Sequence, residues 1–146
     1  MSLPPILNKP ALVVGTTCQI LMVGDCVHAG FPNAAEDFAG KRIDLTAELI
    51  THPQATFMIR VSGESMIDAG IADGDVLIVD RALKPEHGSV VVAVVDGEFT
   101  VKYLHQRYGQ FKLRAANPTY PDIIPREGQM VEVWGVVTAS IKRFRK

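Results

Sequence analysis

Ser65 and Lys102 are the residues whose types and surroundings could support nucleophilic chemistry. Ser65 lies in residues 62–66, Ser-Gly-Glu-Ser-Met, which follow an apolar segment and contain turn-forming residues. A serine at the end of a strand can expose its hydroxyl, and the neighbouring backbone amides can converge on a developing oxyanion. The same run is also a common way to end a strand or cap a helix, so alone it does not establish catalysis.

A serine nucleophile needs a base, and the candidates are histidine and lysine. The four histidines are His28, His52, His87 and His105, and none lies in a context that suggests a triad. A lysine must be neutral to accept a proton, and burial in apolar surroundings lowers its pKa far enough for this. Lys102 lies in the apolar run 99–104, Phe-Thr-Val-Lys-Tyr-Leu. Periodicity alone favours a solvated strand cation there, so the residues leave both interpretations open.

The elements that must position these residues are mainly strands. Branched and aromatic residues dominate six segments, at 56–61, 76–79, 90–95, 99–104, 111–114 and 131–141. Asp96-Gly97, between two apolar runs, is the strongest hairpin signal. Residues 44–50 predict one short helix with Asp44 as its N-cap and Pro53 just past its end. We therefore expect a mainly β fold, a compact and mostly antiparallel barrel or sandwich with one short helix.

The first thirty residues differ in composition from the rest. Their only charged side chains are Lys9 and Asp25, and three prolines fall in the first ten positions. This composition favours an extended N-terminal arm. Residues 27–29, Val-His-Ala, have the small-residue pattern of a signal-peptidase site, but the apolar stretch before them is interrupted and lacks a charged start. We expect an arm followed by one domain, which a chain of 146 residues accommodates.

The charge balance excludes some classes of protein. Fifteen basic and sixteen acidic side chains give a net charge of −1, so no global basic excess points to nucleic acid. The arm cannot supply the helices and cations of a helix-turn-helix, which excludes a free-standing DNA-binding repressor. The basic run 142–146 favours a solvated terminus over a contact with DNA or an acidic partner.

The remaining composition indicates a cytoplasmic protein without a metal or cofactor. Cys18 and Cys26 are too few for a disulfide framework or a zinc site, and we expect them to be free thiols. No segment approaches the roughly 20 apolar residues of a membrane span.

Several blocks, taken in order, resemble the LexA/UmuD family of self-cleaving serine peptidases, and UmuD and its plasmid-borne relatives in particular. The blocks are residues 31–32 (Phe-Pro), 42–45 (Arg-Ile-Asp-Leu), 62–66, 73–75 (Asp-Gly-Asp), 96–102 (Asp-Gly-Glu-Phe-Thr-Val-Lys) and 134–137 (Trp-Gly-Val-Val). The separation of Ser65 and Lys102 by 37 residues is also typical of UmuD. The similarity covers roughly residues 27–141, while residues 1–25 match no pattern of the family.

This resemblance implies a role for each matching residue. Ser65 corresponds to the nucleophile and Lys102 to the general base of a serine endopeptidase. The backbone amides of Glu64 and Ser65 fall where the family builds its oxyanion hole. Ala29-Gly30 matches the self-cleavage site, which divides the chain into a cleavable arm, 1–29, and a peptidase and polymerase-accessory domain, 30–146.

The resemblance also implies partners and a biological setting. Proteins of the UmuD type are homodimers whose self-cleavage is stimulated by RecA filaments on single-stranded DNA during the SOS response. The processed dimer then serves an error-prone Y-family polymerase of the UmuC type in the bypass of DNA lesions. Neither sequence-specific DNA binding nor a membrane is expected.

Two other functions fit part of the sequence. A leader-type Ser–Lys peptidase would use the same two residues on other proteins, but should carry a membrane anchor. A non-catalytic β-module that binds a polymerase or another partner would leave Ser65 and Lys102 incidental. Such a module predicts that the purified chain stays intact for days at pH 10.

Overall fold

The computed structural model describes residues 11–12, 19–23 and 40–145. In chain order, the described strands are β1 (Ala11–Leu12), β2 (Gln19–Val23), β3 (Gly40–Asp44), β4 (Thr56–Arg60), β5 (Val76–Asp80), β6 (Val90–Val95), β7 (Glu98–Arg107), β8 (Gln110–Arg114) and β9 (Val131–Ile141), with helix α1 (Leu45–Leu49) after β3. The chain divides into two compact units, one of them Gly15–Thr51 and the other comprising Met1–Val14 and His52–Lys146. The predicted arm boundary after residue 29 lies outside the described residues.

The smaller unit contains an antiparallel strand pair and the helix. Strands β2 and β3 pair from Gln19 opposite Asp44 to Val23 opposite Gly40. Asp44 then caps α1, because its Oδ1 accepts hydrogen bonds from the backbone amides of Thr46 at 3.0 Å and Ala47 at 3.3 Å. The predicted short helix and its N-cap are confirmed. No helix in the described part of the chain is long and apolar enough to cross a membrane.

The larger unit is built on a seven-stranded sheet in the order β1-β4-β5-β9-β6-β7-β8. Every pairing in this sheet is antiparallel. The six strands predicted from branched and aromatic residues all form, and those at 90–95 and 131–141 have the predicted bounds. The mainly β, mostly antiparallel fold is thus confirmed. Because β1 and β8 end the strand order of the described sheet, it is no closed barrel, and the sandwich-like form of the prediction is the one that holds.

The turn at Asp96-Gly97 joins β6 to β7 in register. Both residues have positive φ, 49° at Asp96 and 84° at Gly97, as a tight hairpin requires. Val95 consequently lies opposite Glu98, and further along the pair Val91 lies opposite Lys102. The predicted hairpin therefore fixes where Lys102 stands in the sheet.

The main core brings together strands from the two halves of the sheet. Ile59 of β4 and the following Val61 belong to the same buried cluster as Val101 of β7, although three strands separate β4 from β7 in the sheet. The sheet therefore folds over on itself, as a strongly twisted antiparallel sheet does. Since Ser65 follows β4 and Lys102 lies on β7, this folding is what allows the two residues to meet.

Candidate active site

Ser65 and Lys102 are in hydrogen-bond contact. The Nζ atom of Lys102 lies 2.9 Å from the Oγ atom of Ser65. The Ser65 side chain is half-buried, whereas Lys102 is only 6% exposed. The fold thus places a hydroxyl and a buried amine at the separation that a proton transfer needs.

Burial governs the chemistry of Lys102. The solvated position that strand periodicity favours for this side chain is wrong, because Lys102 lies in the interior beside Thr100, which is also buried. Removal from water disfavours the charged form and lowers the pKa of Lys102 below its ordinary value. A lysine of this kind has the neutral form available as a base.

The remaining contacts of Lys102 fix the direction of its amine. Nζ lies 2.7 Å from Oγ1 of Thr100 and 3.0 Å from the carbonyl oxygen of Val101. A neutral amine has two N–H donors and one lone pair, and a carbonyl oxygen can only accept. If the two N–H groups go to Thr100 and Val101, the lone pair is left for the hydroxyl proton of Ser65.

The segment 73–75 holds the serine loop from one side. The backbone amide of Gly63 donates to Oδ1 of Asp73 at 2.8 Å. The amide of Val61 donates to the carbonyl of Asp75 at 2.8 Å, and the amide of Gly74 donates to the carbonyl of Val61 at 2.9 Å. Gly63 has a φ of 95°, a conformation that glycine adopts without strain. The Asp-Gly-Asp block therefore anchors the loop that carries Ser65.

A second segment, beginning at Ala116, holds the same loop from another side. Nδ2 of Asn117 donates to the carbonyl oxygen of Glu64 at 2.9 Å. The amide of Asp68 donates to the carbonyl of Ala116 at 2.8 Å, and Met66 is buried in the main core. Sequence reasoning missed Asn117, because an Asn-Pro pair such as 117–118 indicates only a turn.

The amides assigned to the oxyanion hole are not taken up by hydrogen bonds within the described part of the chain. Neither the Glu64 nor the Ser65 backbone amide donates a hydrogen bond to another described residue. Donors without a protein partner are what an oxyanion hole requires.

A cavity of about 460 Å³ opens beside the dyad. Ser65, Thr100 and Lys102 line one part of it, and Tyr120, Pro121 and Ile123 add a largely apolar wall. Such a cleft suits an extended peptide with small side chains at the reacting bond. Ala29 and Gly30, the predicted cleavage site, lie outside the described residues.

The histidines in the described part of the chain make other contacts. Nδ1 of His52 lies 2.7 Å from Oδ2 of Asp80. Nδ1 of His87 accepts from the amide of Gln106 at 3.1 Å, and the His105 ring packs against that of His87. None of these three hydrogen-bonds Ser65, so the geometry favours the amine as its base. No group of three His, Cys, Asp or Glu side chains in the described ranges could hold a metal ion.

Known proteins resemble this chain over most of its length. The family model described as Peptidase S24-like matches residues 21–138. The chain is 43% identical over 143 residues to the protein ImpA of Salmonella typhimurium, covering 97% of both chains. It is 45% identical over 116 residues to the protein MucA of Escherichia coli, covering 79% of each. It is 37% identical over 135 residues to the LexA repressor of Clavibacter sepedonicus, covering 92% of this chain and 58% of the repressor.

Proposed function

Because the chain belongs to the Peptidase S24-like family, as the resemblance to LexA and UmuD predicts, we propose that it is a serine endopeptidase that cleaves its own Ala29–Gly30 bond. The observation that carries this proposal is the 2.9 Å contact between Oγ of Ser65 and the buried Nζ of Lys102. A hydroxyl nucleophile and a neutral amine base are the minimum for this chemistry.

The first half of the reaction forms an acyl-enzyme. In the proposed reaction the arm binds in the cavity by β-strand addition, which would bring the carbonyl carbon of Ala29 to Oγ of Ser65. Lys102 takes the hydroxyl proton while Oγ bonds to that carbon, and the oxyanion is held by the amides of Glu64 and Ser65. The C–N bond then breaks, and the proton passes from Lys102 to the departing amino group of Gly30.

The second half restores the enzyme. Lys102, neutral again, takes a proton from water as the water oxygen attacks the ester carbon of Ala29. The ester bond breaks, Ser65 regains its proton from Lys102, and the arm leaves with a carboxyl group at Ala29, which releases the second water proton to the solvent. The net change is hydrolysis of one peptide bond, and no cofactor takes part.

Small residues at the proposed cut suit this chemistry. The side chain of Ala29 is small enough for a shallow pocket beside a nucleophile, and glycine at position 30 lets the backbone approach it closely. Cleavage then separates the arm, 1–29, from the domain, 30–146.

The proposed setting is mutagenic DNA repair in the cytoplasm. We infer that the chain is a homodimer, that RecA filaments on single-stranded DNA stimulate its cleavage, and that the processed dimer serves a UmuC-type polymerase. Support comes from the UmuD-like blocks of the sequence and from the similarity to ImpA over 97% of both chains.

Intact-mass spectrometry of the purified chain tests the chemistry. The wild type, incubated at pH 7 and pH 10, should yield a fragment of residues 30–146, whereas Ser65→Ala and Lys102→Ala should stay whole. Lys84→Ala changes an exposed lysine outside the site and should cleave as the wild type does. An intact wild type after days at pH 10 would instead support the non-catalytic β-module.

A further inference from the structure

We propose that Asn117 is a positioning residue that sets the direction of the Ser65 N–H group in the oxyanion hole. The inference rests on the proposed function, because it assigns a task within that reaction. It starts from the hydrogen bond that Nδ2 of Asn117 donates to the carbonyl oxygen of Glu64 at 2.9 Å. The two residues are 53 positions apart, so this contact is made by the tertiary fold.

The carbonyl of Glu64 and the amide of Ser65 belong to one peptide unit. That unit is planar, and all peptide bonds of the described chain are trans, so the C=O and the N–H point in opposite directions. A donor that fixes the Glu64 oxygen therefore also fixes the Ser65 hydrogen. If the unit rotated, Ser65 N–H would turn away from the oxyanion and the Glu64 oxygen would take its place.

Two donors hold this peptide unit in the observed orientation. Besides Asn117, the backbone amide of Ile67 donates to the Glu64 oxygen, at the longer distance of 3.2 Å. Asn117 therefore supplies the shorter bond, and it comes from outside the loop. A loop held only from within itself is freer to rearrange.

The Asn117 side chain is itself fixed. Its Oδ1 accepts from the backbone amide of Thr119 at 3.1 Å and from the Thr119 hydroxyl at 2.9 Å. Both of these partners are donors to Oδ1, which leaves Nδ2 to face the Glu64 oxygen. The next residues, Tyr120 and Pro121, line the cavity. One segment thus forms a wall of the cleft and orients the oxyanion donor.

The base does not depend on this contact. Lys102 is held by Ser65, Thr100 and Val101, and none of its hydrogen bonds involves Asn117. Loss of the Asn117 amide should therefore lower the maximal cleavage rate without moving the pH at which Lys102 titrates. Removing one oxyanion donor outright costs about 10²–10³ in rate, so an indirect loss should cost about tenfold or more.

The first test measures the self-cleavage rate against pH for the full-length chain. Asn117→Ala should lower the plateau of the cleavage rate at high pH by about tenfold or more. The pH at which the rate reaches half of its plateau should not change. Asn117→Asp has the same shape but sets an oxygen against the Glu64 oxygen, so its loss should be at least as large. Gln129→Ala removes a side-chain amide bonded to Asp96, away from the cavity lining, and should behave as the wild type does.

The second test observes the peptide unit directly. In a Lys102→Ala background, which keeps Ser65 and prevents cleavage, Asn117→Ala should shift the ¹H–¹⁵N resonance of the Ser65 amide. Thermal unfolding of both proteins checks that the fold is kept.

The outcomes separate the inference from the proposed function. Three results would each overturn the role of Asn117. The plateau rate of Asn117→Ala could equal that of the wild type, the pH midpoint of the rate could move together with the plateau, or the Ser65 resonance could stay where it is. If the wild type itself does not cleave, the proposed function fails, and the Ser65 resonance still decides whether Asn117 orients this peptide unit.

Discussion

The hydroxyl oxygen of Thr100 lies 2.7 Å from Nζ of Lys102, closer than the 2.9 Å that separates Nζ from Oγ of Ser65. Thr100 and Lys102 are two residues apart on β7, so their side chains leave the same face of the strand. The nearest partner of the proposed base is thus supplied by its own strand. Thr100 takes one amine hydrogen and keeps the lone pair directed at Ser65.

Replacing Thr100 by Val keeps the side-chain shape and removes the oxygen. We expect the plateau rate of self-cleavage to fall by about tenfold, the worth of a hydrogen bond of about 1.4 kcal/mol. The ammonium form also loses an acceptor, so the pH midpoint should move down rather than up. Rate measurements between pH 6 and pH 11 check both effects.

The matched control for Thr100→Val is Thr138→Val, since Thr138 lies on β9 and bonds the carbonyl of Ile78. Its pH profile should equal that of the wild type. An unchanged profile for Thr100→Val would mean that the amine is oriented without this hydroxyl.

The pH dependence of cleavage should follow Lys102 alone. Burial lowers the pKa of Lys102, so the neutral base becomes available as pH rises through that lowered value. The rate should therefore increase with pH and level off at a plateau above the pKa. A maximum near pH 6 would instead indicate a histidine base.

Lys102→Arg provides a sharper form of the same prediction. A guanidinium stays protonated throughout this range, so the variant should be inactive at every pH up to 10. Lys84→Arg, at an exposed position, should keep the wild-type profile. Cleavage by Lys102→Arg at alkaline pH would show that another group takes the proton.

The strands and turns were predictable because their causes are local. Branched residues repeat through β6 and β9, Asp96-Gly97 tolerates positive φ at both positions, and Asp44 has a side chain that reaches the next amides. Each of these effects acts within a few residues. The sequence therefore contains them without reference to the rest of the fold.

The surroundings of the site were not predictable in this way. Strand periodicity suggests a solvated Lys102. The loop carrying Ser65 and the segment reaching Ile123 lie beside it in the fold, but both are distant from it in the sequence. Asn117 contacts Glu64 across 53 positions, and nothing around residue 117 indicates that partner. Family resemblance could pair Ser65 with Lys102, but burial and loop anchoring depend on how the sheet folds over.

The basic C-terminus should stabilise the domain through one ion pair. Nζ of Lys142 lies 2.7 Å and 2.9 Å from the two carboxylate oxygens of the buried Asp75. Burial opposes ionisation of Asp75, but the hydrogen bonds from Lys142 and the Ala72 amide, together with the Lys142 charge, hold its pKa below the ordinary value. The prediction of a solvated C-terminus is therefore wrong for Lys142, whose amine is paired with Asp75.

Lys142→Met should lower the free energy of unfolding by about 1 kcal/mol at pH 7, a modest value because Lys142 is partly exposed. A depressed carboxyl pKa stabilises the fold above the unfolded pKa of about 3.9 and loses that contribution as pH falls through the folded value. The difference between the two proteins should therefore shrink below pH 4. Urea unfolding in the Ser65→Ala background measures it, with Arg143→Met as control. A difference that persists at pH 2.5 would exclude the ion pair as its cause.

Gly135 should resist even the smallest side chain. It lies on β9, where an added Cβ would stand 2.7 Å from Cγ1 of Val79 and 3.3 Å from Cγ of Arg81. Val79 is fully buried and cannot move aside freely, so Gly135→Ala should destabilise the fold by about 1–3 kcal/mol.

The neighbouring Trp134 is the chain's one tryptophan, so its fluorescence during urea unfolding reports on this region. Ser140→Ala, on an exposed position of the same strand, should unfold at the wild-type urea concentration. If Gly135→Ala and the wild type unfolded at the same urea concentration, β5 and β9 could move apart at this point with little loss of stability.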